Sequence, residues 1–571
     1  MGSSSSIGTG RRSVVPRAAR SRSSTAATST RRGWRTWSTS CVLPEFDFFA
    51  WDARGHGRSP GARGDSPSFG TSVRDVQTFV DHIGAQHGFV PEDIGIVAQS
   101  VGAVVVATWV HDYAPAIRGM VLASPAFRVK LYVPFALPGL RLMRKLFGNF
   151  FVSSYVKAKF LTHDPARIAS YDADPLLSRS ISVNVLLGLQ EAADRVVADA
   201  QAITVPTQLL VSGADWVVRH GPQHAFFDRL GSTVKERHVL HGFLHDTLGE
   251  RDRARAVDRV RAFLVRVFAA PRARPNLIER RPIRADARGG GRARRAIASL
   301  SPRGHVLGRR RARACASVAL LADGVRLGLA TGFDSGSTLD YIYRNQANGR
   351  TPLGRWIDRT YLDAIGWRGI RQRKLDVEAL LREAIARLRA IGSAGAHRRH
   401  RRRARPLRAR RRRRHAGAAR LHPAARLQRT QCRAGTALIG EKGLARHRAF
   451  VHGDAFDRAS LATLAPRPTL GIVSGLYELM PDNAPVRQSL GGLADAIAPG
   501  GFLVYTGQPW HPQLELIARA LTSHRQGAAW VMRRRTQEEM DQLVAAAGFR
   551  KLTQRIGESG IFSVSLAQRV A

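Results

Sequence analysis

Residues 52–59, Asp-Ala-Arg-Gly-His-Gly-Arg-Ser, and residues 98–102, Ala-Gln-Ser-Val-Gly, decide how the first half of this chain folds. The first block follows an apolar run, 46–51, that reads as a buried strand, and turns it with two closely spaced glycines. The second closes another apolar run, 94–98, and opens an apolar helix over 101–110. Ser100 stands at the junction. A strand that turns at once into a helix through a serine needs small residues two before and two after it, and Ala98 and Gly102 meet that need. Such a turn lifts the Ser100 hydroxyl above the sheet. It also aims the N–H of Val101 at a developing oxyanion, which makes Val101 the candidate oxyanion-hole donor.

Two further pieces arrive downstream in a chemically sensible order. Residues 206–212 read as a buried strand that ends in Gly213-Ala214-Asp215, a carboxylate at a strand's C-terminal edge. Residues 239–250, Val-Leu-His-Gly-Phe-Leu-His-Asp-Thr-Leu-Gly-Glu, put His245 in a loop before a last helix. Ser100 would attack, His245 would take and return its proton, and Asp215 would fix the imidazole tautomer. Each residue alone has a plain alternative: a helix-entry serine, a capping aspartate, a surface histidine. All the pieces in this order outweigh those alternatives. His220, His224 and His241 compete for the base role, His241 most strongly, while Asp52 and His56 read as parts of the turn.

With these motifs, and Val-Leu-Ala-Ser-Pro-Ala-Phe at 121–127, the stretch 46–268 resembles the monoglyceride-lipase and lysophospholipase branch of the α/β-hydrolases, of the serine aminopeptidase S33 type. The resemblance implies an α/β fold with a helical cap over about 128–204 and a serine hydrolase acting on acyl esters, without a metal or other cofactor. Within the cap, residues 131–151 are apolar with a few basic residues, too interrupted to span a bilayer. They are expected to form a cap helix lining an acyl pocket; the alternative is an interfacial helix in peripheral contact with lipid. The family takes a second oxyanion donor from a His-Gly pair after an early strand. No such pair precedes residue 46, which leaves Val101 as the one nameable donor.

The formal net charge is +47, but it is unevenly distributed. Residues 1–44 carry +8, 271–318 carry +12 and 392–443 carry +16, while the intervening stretches are nearly balanced. Residues 398–414 hold 12 arginines among 17 residues, with neither lysine nor aromatic side chain. Nucleic-acid surfaces combine charge with stacking groups or a folded groove, so this composition points to nonspecific polyanion binding rather than specific nucleic-acid recognition. Arginine outnumbers lysine 82 to 8 across the chain, as GC-rich coding gives. The three basic stretches begin and end abruptly where fold elements are missing. They read as out-of-frame translation, with basic disordered linkers as the rival reading. An inactive product of a damaged gene is a corresponding alternative for the whole chain. Residues 1–30 lack a continuous apolar core, and the low cysteine count suits a reducing compartment, so a cytoplasmic location is expected.

From about residue 319 ordered patterning returns. Residues 376–391 read as a helix, 448–451 as a short strand before Gly453-Asp454-Ala455-Phe456-Asp457, and 469–474 as a buried strand before Gly475-Leu476-Tyr477-Glu478-Leu479. A helix over 486–497, Pro499-Gly500-Gly501 and a strand over 502–506 follow. This pattern resembles the second half of a Rossmann-like class I S-adenosylmethionine-dependent methyltransferase, and the whole layout a bacterial fusion of the two folds. The resemblance implies S-adenosylmethionine as cofactor and Asp454 as an adenine contact, with a helix cap as the alternative for Asp454. The family's glycine-rich loop and ribose-binding acid would fall within 392–433, where only arginine-rich sequence stands, so the methyltransferase fold is incomplete. Gln508, Pro509, Trp510 and His511 follow a strand's C-terminal edge, where open α/β sheets bind ligands, and are candidates for an acceptor site. The expected domains are thus 1–45 (basic), 46–270 (hydrolase), 271–318 (basic) and 319–571 (methyltransferase-like, interrupted at 392–433).

Overall fold

The structure, a computed structural model, describes residues 41–153, 156–271, 274–279, 321–391, 453–524 and 527–570 and, as backbone alone, 20–23, 392–400 and 419–420. Most of the three basic stretches, and the strand expected at 448–451, lie outside the described residues. The chain divides into two compact units, Met1–Pro275 and Asn276–Ala571.

The first unit is built on a parallel sheet in the order β1-β2-β3-β6-β7, formed by Arg20–Ser23, Ile94–Gln99, Gly119–Ala123, Thr207–Ser212 and Lys235–Leu240. The three central strands β2, β3 and β6 are buried at every position, which is why they read as continuous apolar runs rather than alternating ones. Helices α1 (Phe69–His87) and α2 (Ser100–Tyr113) precede the cap, which holds α3 (Ala136–Phe147), β4 (Phe151–Ser153), α4 (Pro165–Ala173), β5 (Ser180–Ser182) and α5 (Val183–Ala198). Helices α6 (His220–Arg229) and α7 (Ala254–Ala269) complete the unit. On one face of the sheet, Val257, Val260, Phe263 and Leu264 of α7 pack with Val97, Val121 and Leu210. A buried charge cluster ties α2 to α5. His111 joins Asp112 (2.8 Å) and Asp199 (2.9 Å), and Arg195 binds both oxygens of Asp112.

Residues 46–51 do not form the expected strand; Phe49 alone makes a bridge. Aromatic packing anchors the segment instead: Phe46 meets Phe268 edge-on at 5.0 Å, and Phe49 meets Phe89 at 5.6 Å. The turn after it is as tight as its glycines imply. Gly55 and Gly57 have φ of 69° and 55°, and a Cβ on Gly57 would collide with the Asp52 carboxylate, which accepts the N–H of Arg58 at 3.0 Å. His56 Nδ1 lies 2.9 Å from the Arg54 carbonyl. The other difference is α3, which has no buried residue. Its apolar side chains do not line a closed pocket: Phe135 is 85% and Phe147 74% exposed.

The second unit carries the sheet β11-β12-β10-β9-β8. Ala419–Arg420 (β8), Leu470–Val473 (β9) and Phe502–Gly507 (β10) are parallel, and Phe549–Ile556 (β11) with Ser563–Arg569 (β12) forms an antiparallel hairpin that pairs through β12 with β10. Its helices are α8 (Asp323–Thr331), α9 (Gly336–Arg344), α10 (Pro352–Leu362), α11 (Ile365–His400), α12 (Arg458–Ala462), α13 (Asn483–Ala496), α14 (Leu514–Ala520) and α15 (Gln537–Ala546). The helix expected at 376–391 is the middle of α11, which begins well before it. Leu380 and Ala384 of α11 cover one face of the sheet with Leu470, Phe502, Val504, Val564 and Leu566. Leu490 and Leu493 of α13 and Leu543 of α15 cover the other with Val473, Leu503 and Tyr505.

Candidate active site

Strand β2 runs straight into α2, and Ser100 at the turn takes φ 53°. Left-handed backbone at a non-glycine residue costs of order 1–2 kcal/mol, so the surrounding structure must hold it. Ala98 is fully buried, Gly102 is buried, and the Ser100 carbonyl accepts the N–H of Ala126 at 3.1 Å. The sharp turn brings the hydroxyl to His245: Nε2 lies 2.7 Å from Ser100 Oγ. His245 Nδ1 lies 2.8 Å from Asp215 Oδ2, and Asp215 Oδ1 accepts the N–H groups of Val217 (2.7 Å) and Val218 (3.0 Å). The structure therefore brings Ser100, His245 and Asp215 into one hydrogen-bonded line, each side chain buried. Burial alone would raise the Asp215 carboxyl. His245 and the two backbone donors more than offset this and hold it below the ordinary carboxylate range. His241, the strongest rival base, is exposed in the turn after β7, and His220 and His224 lie on α6.

Val101 follows Ser100 in the first turn of α2, where helix geometry gives an N–H no intrahelical acceptor. That N–H can receive an oxyanion forming at Ser100. Strand β1 lies beside β2, and the segment after it, from residue 24 to 40, is outside the described residues.

Sequence reasoning missed the residues that hold this line in place. Gln99 Nε2 donates to Asp246 Oδ1 at 2.8 Å, and Gln99 Oε1 accepts the N–H of Leu248 at 3.1 Å. Arg167 of α4 donates to the other Asp246 oxygen at 2.9 Å. Asp246, the residue after His245, thus links the residue before Ser100 to the cap. A buried hydroxyl chain, Ser124–Thr247–Ser212, joins the ends of β3 and β6 to the same loop through two contacts of 2.9 Å. The adjacency of Asp246 to His245 was the one local signal for this network.

In the second unit, Asp454 Oδ1 accepts the N–H of Phe456 at 2.8 Å in an exposed turn. It is not the helix cap: Asp457 caps α12, accepting from Ala459 and Ser460. At the ends of β9 and β10, Glu478 pairs with Arg373 at 3.1 Å, and Arg535 donates to the carbonyls of Met480 and Asp482 at 2.9 Å. Residues 421–452, which hold most of the stretch where the glycine-rich loop and the ribose-binding acid were expected, lie outside the described residues. Among the described residues no group of three or more His, Cys, Asp or Glu side chains could hold a metal ion. No described helix is long and apolar enough to cross a membrane.

A parallel sheet with a serine at a strand-to-helix turn, a cap, and a Ser-His-Asp line defines the first unit as an α/β-hydrolase domain. Residues 40–252 match the family described as "Serine aminopeptidase, S33". Residues 260–569 match the family described as "Putative methyltransferase", and the chain belongs to that family. It is 49% identical over 540 residues to the uncharacterized protein YnbC of Escherichia coli K12, covering 92% of this chain and 90% of that one. It is 25% identical over 219 residues to a monoacylglycerol lipase of Mycolicibacterium smegmatis, covering 38% of this chain and 77% of that protein. The crystal structure of Paleococcus ferrophilus monoacylglycerol lipase matches 43% of this chain and 93% of its own length, with 21% identity and a TM-score of 0.40.

Proposed function

We propose that the first unit is a serine hydrolase of acyl esters, with a monoacylglycerol or a lysophospholipid-like ester as its substrate class. The hydrogen-bonded line Ser100–His245–Asp215, at 2.7 and 2.8 Å, carries this reading. Ser100 Oγ attacks the ester carbonyl carbon while His245 Nε2 takes the hydroxyl proton, and the carbonyl oxygen, now negative, receives the N–H of Val101. The carbon–oxygen bond to the leaving alcohol then breaks, and His245 returns its proton to that alcohol. Water repeats the sequence on the acyl-serine, with His245 as base, and releases the carboxylic acid. Asp215 stays ionised throughout and orients the imidazole. The likeness to monoacylglycerol lipases supports a lipid-derived ester, and the exposed apolar side chains of α3, interspersed with Arg141, Arg144 and Lys145, support peripheral lipid contact.

The test is a fluorophosphonate probe. Wild-type protein is expected to label, Ser100→Ala to abolish labelling, and His245→Ala to slow it strongly. Persistent labelling of the serine variant sinks the assignment, and a larger effect from His241→Ala moves the base.

For the second unit we infer a methyltransferase. S-adenosylmethionine, when bound, supplies an electrophilic methyl group, and Asp454 would contact its adenine. Calorimetric titration with S-adenosylmethionine tests this, with Asp454→Ala expected to weaken any binding. The charge of 1–44, 271–318 and 392–433 supports out-of-frame coding of those stretches. Peptide mass spectrometry of the native protein across them decides it, since in-frame peptides would carry the missing His-Gly and glycine-rich loops.

A further inference from the structure

The segment that leads into cap helix α4 is fastened to the loop that carries His245. The Leu161 carbonyl accepts the N–H of Asp246 at 2.7 Å, the Thr162 hydroxyl donates to the Gly249 carbonyl at 3.0 Å, and the N–H of His163 donates to Glu250 at 2.8 Å. Asp164 then caps α4 through one oxygen, accepting the N–H groups of Ala166 and Arg167, and its other oxygen accepts from Arg253 at 2.9 Å. Helix α3, by contrast, has no buried residue. The cap therefore has an exposed part and a part seated on the catalytic loop.

One contact of the seated part reaches the neighbours of the proposed reacting groups. Arg167, in the first turn of α4, donates from Nε to Asp246 Oδ2 at 2.9 Å, while Asp246 Oδ1 accepts from Gln99 at 2.8 Å. The Arg167–Asp246 pair is partly buried, and its hydrogen bond is charge-assisted on both sides. Ser100 follows Gln99 in the chain, and His245 precedes Asp246. Gly249 keeps the space around the pair clear: a Cβ there would collide with Asp246 Oδ2 and stand 2.7 Å from Arg167 Nε. No other residue at 249 is compatible with the pair as it lies. The imidazole has to meet Ser100 Oγ at 2.7 Å and Asp215 at 2.8 Å at once. A misplacement of about 1 Å in such a line costs about a hundredfold in rate, so the residue beside the imidazole needs fixing from more than one side.

We propose that Arg167 is a positioning residue for His245: by anchoring Asp246 from the cap, it makes alignment of the imidazole conditional on α4 being seated. Gln99 fixes Asp246 from the serine turn and Arg167 from the cap. Arg167 acts through Asp246 rather than on the ester itself. The proposal rests on the serine-hydrolase reading above.

The experiment is steady-state kinetics of the full chain on 4-nitrophenyl acetate and 4-nitrophenyl decanoate, the first too short to fill an acyl pocket. Arg167→Gln is expected to lower kcat by about tenfold on both esters and to leave both KM values within about twofold. Arg167→Lys keeps the charge but not the shape of the donor, so it should recover part of the loss. Gly249→Ala displaces the Asp246 carboxylate without removing either charge and should reproduce the loss. The double variant Arg167→Gln/Gly249→Ala should be no worse than Arg167→Gln, because both changes break one contact. A loss confined to the KM of the decanoate would make Arg167 a wall of the acyl pocket and overturn the proposal. Losses that multiply in the double variant, or no recovery with lysine, overturn it too. An active wild type matched by Arg167→Gln overturns this proposal alone. A wild-type chain that turns over neither ester and takes up no fluorophosphonate overturns the hydrolase reading and this proposal together.

Discussion

Asp246 braces the proposed catalytic line without being part of it. Its two oxygens hold Gln99, next to Ser100, and Arg167 on the cap, and its own N–H donates to the Leu161 carbonyl at 2.7 Å. Asp246→Ala is expected to lower turnover by about tenfold or more, since a misplaced His245 loses the line to Ser100. Stability should fall by about 1–3 kcal/mol, because the Gln99 amide is left unpaired. Slower fluorophosphonate labelling with unchanged stability would show a purely local role, and unchanged labelling would remove Asp246 from the machinery. Ser100, Asp215 and His245 were legible in the sequence because each ends a recognisable apolar strand or loop. Gln99 and Asp246 were not, because a polar pair separated by so much chain leaves no local pattern.

The helix pair α2 and α5 is joined by a charge cluster whose protonation can be followed. Burial alone would push the His111 imidazole down, but Asp112 and Asp199 more than offset that and hold it above its ordinary value. A group whose folded value is raised stabilises fully below its unfolded value, about 6.5, and loses that contribution as pH rises through the folded value. Denaturation of the wild-type chain should therefore show the first unit weakening as pH climbs above about 6.5, and His111→Gln should flatten that slope. An unchanged slope would place the pH dependence elsewhere. Helix α3 makes a separate expectation. Replacing Phe135 and Phe147 by Ser should reduce co-sedimentation with anionic phosphatidylglycerol vesicles, and equal binding would remove α3 from any lipid contact. The helix itself was expected from the resemblance and the apolar composition of 131–151, but its exposure was not, since composition does not say what covers a side chain. Residues 46–51 misled for a different reason: aromatic residues favour strands, yet here they are anchored by ring contacts.

At the scale of the whole molecule, two compact units with separate cores argue against a single cooperative transition. Calorimetry is expected to resolve two transitions, with His111→Gln moving one and Leu543→Ala, in the core of the second unit, the other. A single transition shifted by both variants would mean the units melt as one body. The α/β character of both halves was legible because their buried strands are short apolar runs bounded by turn residues, such as 470–473 before Gly475 and 502–507 after Gly501. The sheet edges were less so: β1 and β8 fall in stretches whose composition carries no strand pattern.

The backbone at Ser100 carries one more implication. Its φ of 53° is a conformation that glycine adopts freely and serine does not. A population of variants screened for heat resistance alone would therefore drift towards glycine at this position and gain durability by discarding the proposed nucleophile. If Ser100 is the nucleophile proposed above, serine is kept there at the expense of stability, and the residue found at this position in related chains would report which of them retain the hydrolase chemistry.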